Sequence, residues 1–134
     1  MLNLIYEKSI YTKIRIVKYI IDNNGQSTKQ RIIKNLDITL ITLNKYLEEL
    51  SEELPENSIY ISEKYIVFNT KLMSFHDAQK FYFSKSITKD IFYSIFYKQK
   101  KTLDSLANDL YISPSKLFNI LKFLSKQLSY LHYP

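Results

Sequence analysis

Two short sets of side chains in this sequence have the types that read the edges of base pairs. The first is Thr39, Thr42, Asn44 and Lys45; the second is Ser113, Ser115, Lys116 and Asn119. Asn can bond adenine through two contacts, Lys reaches guanine or phosphate, and Ser or Thr suits several partners. Cations suited to phosphate oxygens lie nearby. Lys29, Arg31 and Lys34 precede the first set, Lys64 follows it, and Lys98, Lys100 and Lys101 precede the second. Contacts of that kind position a duplex without carrying sequence information. Taken singly, each lysine suits a solvated surface equally well, so the elements that gather these residues decide whether they form a site.

Those elements repeat. LDITLITLNKYLEELSEEL, residues 36–54, returns 74 residues later as LYISPSKLFNILKFLSKQL, residues 110–128, with identical residues at seven places. Each copy reads as a short turn, a Thr or Ser helix start, then a long amphipathic helix. Leu43, Tyr46, Leu47, Leu50 and Leu54 form the inward stripe of the first, and Leu117, Ile120, Leu121, Leu124 and Leu128 that of the second. Removing the stripes leaves Thr39, Leu40, Ile41, Thr42, Asn44 and Lys45 outward in the first copy, and Ser113 to Lys116, Phe118 and Asn119 outward in the second. This is the back half of a helix-turn-helix, whose last helix presents its first exposed residues to the major groove.

The rest of the chain completes two such units. Ile10, Ile14, Val17, Ile20 and Ile21 predict a helix over about residues 7–23, closed by Asn23-Asn24-Gly25. Ser27 or Thr28 starts a short helix carrying Ile32 and Ile33, and Pro55 closes the long helix that follows the turn. SIYISEKYIVFN, residues 58–69, predicts a hairpin, or wing, with Ser62-Glu63-Lys64 between its strands. Ser74 and Asp77 have capping-box spacing and open a connecting helix. A helix over about residues 86–98 with Ile87, Ile91, Ile95 and Phe96 inward comes next. Thr102 then starts a helix with Leu103, Leu106 and Ala107 inward, and Ser113-Pro114 starts the last one. SYLHYP, residues 129–134, would begin a second wing, an order that implies a piece of something longer. The expected fold is therefore mainly α with small β-hairpin wings: two tandem winged helix-turn-helix domains joined by a helix. Their expected bounds are residues 1–70 and 86–134, with residues 71–85 as the linker helix.

Composition narrows the function classes. Residues 1–70 hold nine Lys or Arg and nine Asp or Glu, whereas residues 71–134 hold ten Lys and four Asp, so the whole net charge of +6 lies in the second half. A basic half suits a polyanion. The chain has no cysteine, and His76 and His132 lie in no ligand pattern, so metal and cofactor sites are not expected. Gly-rich phosphate loops and nucleophile motifs are absent, so an enzyme is not expected either. No apolar run is long enough to span a bilayer and no signal peptide opens the chain, which together suggest a cytoplasmic protein without a membrane partner. Glu48, Glu49, Glu52 and Glu53 read as a solvent face, and the twelve tyrosines as core and wing residues rather than a single-strand stacking platform.

The strings LDITLITLNKYLEEL and YISPSKLFNILKFLSKQL, with SFHDAQKFYFSK between them, resemble the N-terminal DNA-binding part of the Mga/AtxA group of Gram-positive virulence regulators. The resemblance implies double-stranded DNA as partner and two winged helix-turn-helix modules. It also implies later regulatory domains outside this chain, through which any homodimer would form. Recognition helices of the group often carry Arg after the Ser cap; here Pro114, Ser115, Lys116 and Asn119 stand there, so no target sequence carries over. The first unit also departs in having Ile33 where the second has the small Ala107. Two alternatives remain at this point: a plasmid replication initiator, which also uses tandem winged helices, and a protein-interaction module, favoured by exposed Leu40 and Ile41.

Overall fold

Helix α1, Lys8–Asp22, buries Ile14, Ile16, Val17 and Ile20, and its end is set by backbone chemistry. Asn24 and Gly25 both take positive φ, at 64° and 84°. The Gly25 N–H donates to the Ile20 carbonyl at 2.9 Å, closing the helix. A Cβ at Gly25 would lie 3.2 Å from the Phe68 carbonyl oxygen, so glycine is needed both for its dihedral and for close passage. The computed structural model in which these features are seen describes residues 2–98 and 102–130. Of these, residues 9–82 form one compact unit, and residues 2–8 with those from 83 onward form another.

In the first unit the chain leaves Gly25 as a strand, β1, Gln26–Thr28, before entering α2, Lys29–Leu36. The predicted hairpin is present as β2, Ile59–Ile61, and β3, Tyr65–Phe68, but it is part of a larger sheet. β1 pairs antiparallel with β3, Ser27 opposite Ile66, giving the order β1-β3-β2. The sequence showed only two of its three strands, the central β3 and the edge β2. Three residues, all polar, carry no alternation, and β1 exists because β3 offers it a partner. Ile66 and Phe68 of β3 turn into the core.

Thr28 caps α2, accepting the Arg31 N–H at 3.2 Å. Asp37 then takes a left-handed φ of 54°, and the Ile38 N–H donates back to the Ile33 carbonyl at 3.3 Å. Thr39 caps α3, Leu40–Glu53, which buries Leu43, Leu47 and Leu50 and leaves Tyr46 half-buried.

In the acidic end of α3, Glu48 and Glu52 form the expected solvent face, but Glu49 and Glu53 do not. Lys13 of α1 has a side chain only 6% exposed, and its ammonium lies 2.8 Å from Glu49 and 2.7 Å from Glu53. A buried ammonium must be paired. Carboxylates near a helix C-terminus face the negative end of its dipole, so they also gain from a cation. The Tyr82 hydroxyl donates to Glu53 at 3.2 Å, and the Lys13 ammonium lies 6.0 Å and 5.9 Å from the Tyr46 and Tyr82 ring centroids. Burial alone would lower the Lys13 pKa, but the hydrogen bonds and charges of Glu49 and Glu53 raise it above the ordinary 10.5. The hydrogen bond from Lys13 holds Glu49 below the ordinary 4.5. Burial, then the Glu53 charge, push the Tyr82 phenol up.

α4, Phe75–Ser84, opens on the expected capping box. Ser74 Oγ accepts the Asp77 N–H at 3.0 Å, and Asp77 accepts the Ser74 N–H at 3.2 Å, which lowers the Asp77 pKa.

The second unit contains α5, Ile87–Tyr97, α6, Leu103–Asp109, and α7, Pro114–Ser129. Ile91, Leu106, Ala107, Leu117, Ile120 and Leu124 form its core, with Leu4, Ile87 and Phe123 among the residues packed around it. Leu4 comes from a 3-10 turn, Leu2–Leu4, that the sequence division had placed with the first module. The segment is held by specific bonds. The Glu7 carboxylate accepts the Ile87 N–H at 2.9 Å, the Thr88 hydroxyl donates to the Leu4 carbonyl, and Tyr6 meets Phe123 edge-on at 5.5 Å. Glu7 therefore satisfies the start of α5, and α1 begins one residue after it.

Three residues expected inward in this unit point outward: Leu103 is 38%, Ile95 40% and Phe96 71% exposed. A three-helix unit this small needs only a narrow stripe from α5, and Ile87 and Ile91 supply it. The turn before α7 repeats the one before α3. Tyr111 is left-handed at φ 58°, the Ile112 N–H donates to the Ala107 carbonyl at 3.1 Å, and Ser113 caps α7 with Pro114 in its first turn. The strand expected from residue 129 does not begin there, because α7 runs through Ser129; residues 131–134 lie outside the described residues.

Lys13→Met should cost about 2–3 kcal/mol in urea unfolding, below the full cost of breaking a buried pair because Glu49 and Glu53 keep some water access. The sign of the pH effect follows. The raised Lys13 pKa gives stability that is fully present below 10.5 and lost as pH rises through the higher folded value. The depressed Glu49 pKa gives stability present above 4.5 and lost as pH falls through the lower folded value. Both arms should flatten in Lys13→Met; a variant as stable as its parent at neutral pH would refute the assignment. Tyr111→Gly should raise stability by about 0.5–1 kcal/mol, since relief of left-handed strain of about 1–2 kcal/mol exceeds the entropy cost of glycine. Thermal unfolding at lower temperature than the parent would contradict it.

Candidate nucleic-acid interface

The outward face of α3 begins at its cap. Thr39 Oγ1 accepts the Thr42 N–H at 3.1 Å and donates to Thr42 Oγ1 at 2.9 Å, so the two hydroxyls are occupied with each other and Thr42 is half-buried. Asn44 and Lys45 are exposed one turn further, with the Lys45 ammonium 5.7 Å from the Tyr46 ring centroid. Ile41, on the same side as Asn44 and Lys45, is 83% exposed.

The wing tip is anchored beside the start of α2. The Lys29 N–H donates to the Lys64 carbonyl at 2.9 Å, so Lys29, Lys64 and the first turn of α2 are held together. Between them opens a cleft of about 380 Å³ lined by Thr28, Lys29, Gln30, Leu40, Glu63 and Lys64. Gln30 and Glu63 were not among the sequence candidates; only β1, which draws the wing toward α2, brings them to this place. Arg31 is exposed, and Lys34 lies in the last turn of α2. The wing also shows Tyr60 and Tyr65 to solvent with ring centroids 6.3 Å apart, a pair that alternation along the two strands could have shown.

In the second unit, Ser113 accepts the Lys116 N–H at 3.1 Å, and Ser113, Ser115, Lys116 and Asn119 are all exposed at the start of α7. Leu103, Pro114, Ser115, Phe118 and Asn119 line an open cleft of about 360 Å³. Leu103, expected in the core, is thus part of this surface. Lys98 has its ammonium 5.9 Å from the Tyr93 ring centroid. Lys100 and Lys101, expected as phosphate contacts, and His132 lie outside the described residues.

Helix starts divide into two kinds. α4, α5 and α6 carry Asp77, Asp90 and Asp104 in their first turns, the usual partners of a positive helix end. α1, α2, α3 and α7 carry no acidic residue there. At the starts of α2, α3 and α7 the caps Thr28, Thr39 and Ser113 each take one N–H, and no first-turn carboxylate offsets the positive dipole end.

Among the described residues no group of three or more His, Asp or Glu gathers where a metal could sit, and no helix is long and apolar enough to cross a membrane. No curated protein and no solved structure matches the chain. A family model described as the Mga helix-turn-helix domain matches residues 71–133, the span holding α4 to α7. Helix-turn-helix domains of this family are typically non-enzymatic, and the match points to a DNA-binding regulator. Over residues 71–133, then, the chain is similar to the Mga helix-turn-helix domain.

Proposed function

We propose that the chain binds double-stranded DNA sequence-specifically as the N-terminal part of a Gram-positive transcriptional regulator acting in the cytoplasm. It does so through two tandem helix-turn-helix modules, the first winged, built on α1–α3 with β1–β3 and on α5–α7, with α4 as the linker. The main support is the repeated turn. Asp37 and Tyr111, 74 residues apart, are both left-handed and are followed by the same backbone bond and the same Thr or Ser cap. A chain that holds this turn twice presents two capped helix starts with exposed side chains and no acidic residue in the first turn.

The modules divide the work unequally. The second half has all the excess positive charge, and Ser115, Lys116 and Asn119 supply hydrogen-bonding groups for base edges. In the first, Lys29, Arg31, Lys45 and Lys64 suit phosphate oxygens, and Thr39 and Thr42 hold the helix start. The α7 face is therefore the principal reader, and the α2–wing face the principal positioner.

Fluorescence anisotropy with duplexes enriched from a random-sequence pool tests this reading. With roughly six phosphates neutralised, affinity should fall about a thousandfold between about 50 and 200 mM salt. Lys116→Ala with Asn119→Ala should abolish the preference for the enriched duplex over a scrambled one while residual binding persists at low salt. Lys29→Ala with Lys64→Ala should instead weaken both duplexes alike and flatten the salt slope. Retained discrimination in the α7 variant would sink the reader assignment, and absence of any duplex binding at low salt would sink the proposal.

A further inference from the structure

A branched aliphatic side chain that stands almost free in water on a small domain gains nothing from the fold. Ile41 is 83% exposed in the first turn of α3, and Leu43, Leu47 and Leu50 already fill the inward stripe, so no packing role accounts for it. Its neighbours one turn on, Asn44 and Lys45, are exposed on the same face. In α7, Phe118 is 58% exposed, adjoining Asn119 on the wall of the cleft beside Ser115. Both helices thus set an unpartnered apolar group beside an Asn on the face that lies outward. Exposed cations flank both, Lys45 in one and Lys116 in the other, so the occupant of each face is expected to be anionic overall yet to offer apolar contact.

Duplex DNA meets both requirements at one kind of base pair. In the major groove thymine presents a C5-methyl group beside its O4, and its partner adenine offers the N6 and N7 pair that an Asn amide matches. We infer that Ile41 and Phe118 are specificity residues that pack against thymine methyls, with Asn44 and Asn119 reading the neighbouring adenines, so that the bound sites are A·T-rich at the major-groove contacts. This rests on the DNA-binding reading above and adds the base class that each helix selects. A desolvated methyl contact lowers the free energy by burying apolar area on both partners, a gain available only in the complex.

Replacing thymine by 2′-deoxyuridine removes the methyl and leaves the base-pairing edge intact. Enriched duplexes should be A·T-rich, and each contacted thymine changed to deoxyuridine should weaken binding by the parent protein roughly fourfold. Ile41→Ala and Phe118→Ala should each bind the thymine duplex more weakly and lose the thymine-to-uracil difference at a distinct subset of positions. Both residues are exposed, so each variant should unfold at the parent's temperature. Equal binding of thymine and uracil duplexes by the parent, with duplex binding otherwise intact, overturns this inference and leaves the DNA-binding reading standing. So does a thymine-to-uracil difference unchanged in both variants. Failure to enrich or bind any duplex overturns both.

Discussion

One backbone constraint governs the rest of this molecule: a left-handed residue between two helices, held by a bond that spans the turn. Asp37 and Tyr111 take φ of 54° and 58°, and neither is glycine. An L-residue in this conformation costs on the order of 1 kcal/mol. The cost is offset by the bonds from Ile38 to Ile33 and from Ile112 to Ala107, which satisfy carbonyls that a helix end leaves open. With the reversal fixed, Leu43 and Leu117 reach the core four residues past their caps. The remaining positions of each first turn then have nowhere to go but outward. Which residues face solvent at the start of α3 and α7 is decided at Asp37 and Tyr111.

Much of this was legible in the sequence because it is local. Thr28, Thr39, Thr102, Ser113 and the Ser74–Asp77 pair all cap helices, and each signal lies within four residues of the structure it makes. What stayed hidden depends on distant partners. β1 has a sequence that would suit a loop and is a strand only opposite Ser27's partner Ile66. Glu7 looked like the first residue of a helix, and its carboxylate instead serves an amide 80 residues away. Lys13 and Glu53, 40 residues apart, have types that periodicity counts as surface. The site followed the same rule. Residue types and outward faces could be read, whereas the cleft with Gln30 and Glu63 required knowing that the wing is tied to α2.

The Lys13 cluster shows how such a distant contact reaches the outward face. Aliphatic stripes on α1 and α3 would permit several crossing geometries with similar burial, because apolar contact is non-directional. Lys13 removes that freedom: its ammonium is buried and has to meet Glu49 and Glu53. Only a crossing that brings the middle of α1 to the C-terminal half of α3 satisfies it, which fixes the rotation of α3 about its own axis. Hence the ion pair, buried at one end of the helix, helps decide that Ile41, Asn44 and Lys45 face outward at the other. The second unit has no residue at the matching positions to do this: Glu49 and Glu53 correspond, 74 residues on, to Phe123 and Gln127.

Phe123 takes over that task by other means. It packs at the edge of the second core and meets Tyr6 edge-on, and Tyr6 belongs to the segment that also supplies Leu4 to the core and Glu7 to the start of α5. An aromatic pair has a preferred geometry, as an ion pair does, and so it too restricts the rotation of the helix that carries it. The two units share a turn but orient their outward helices with different chemistry, charge in one and aromatic packing in the other.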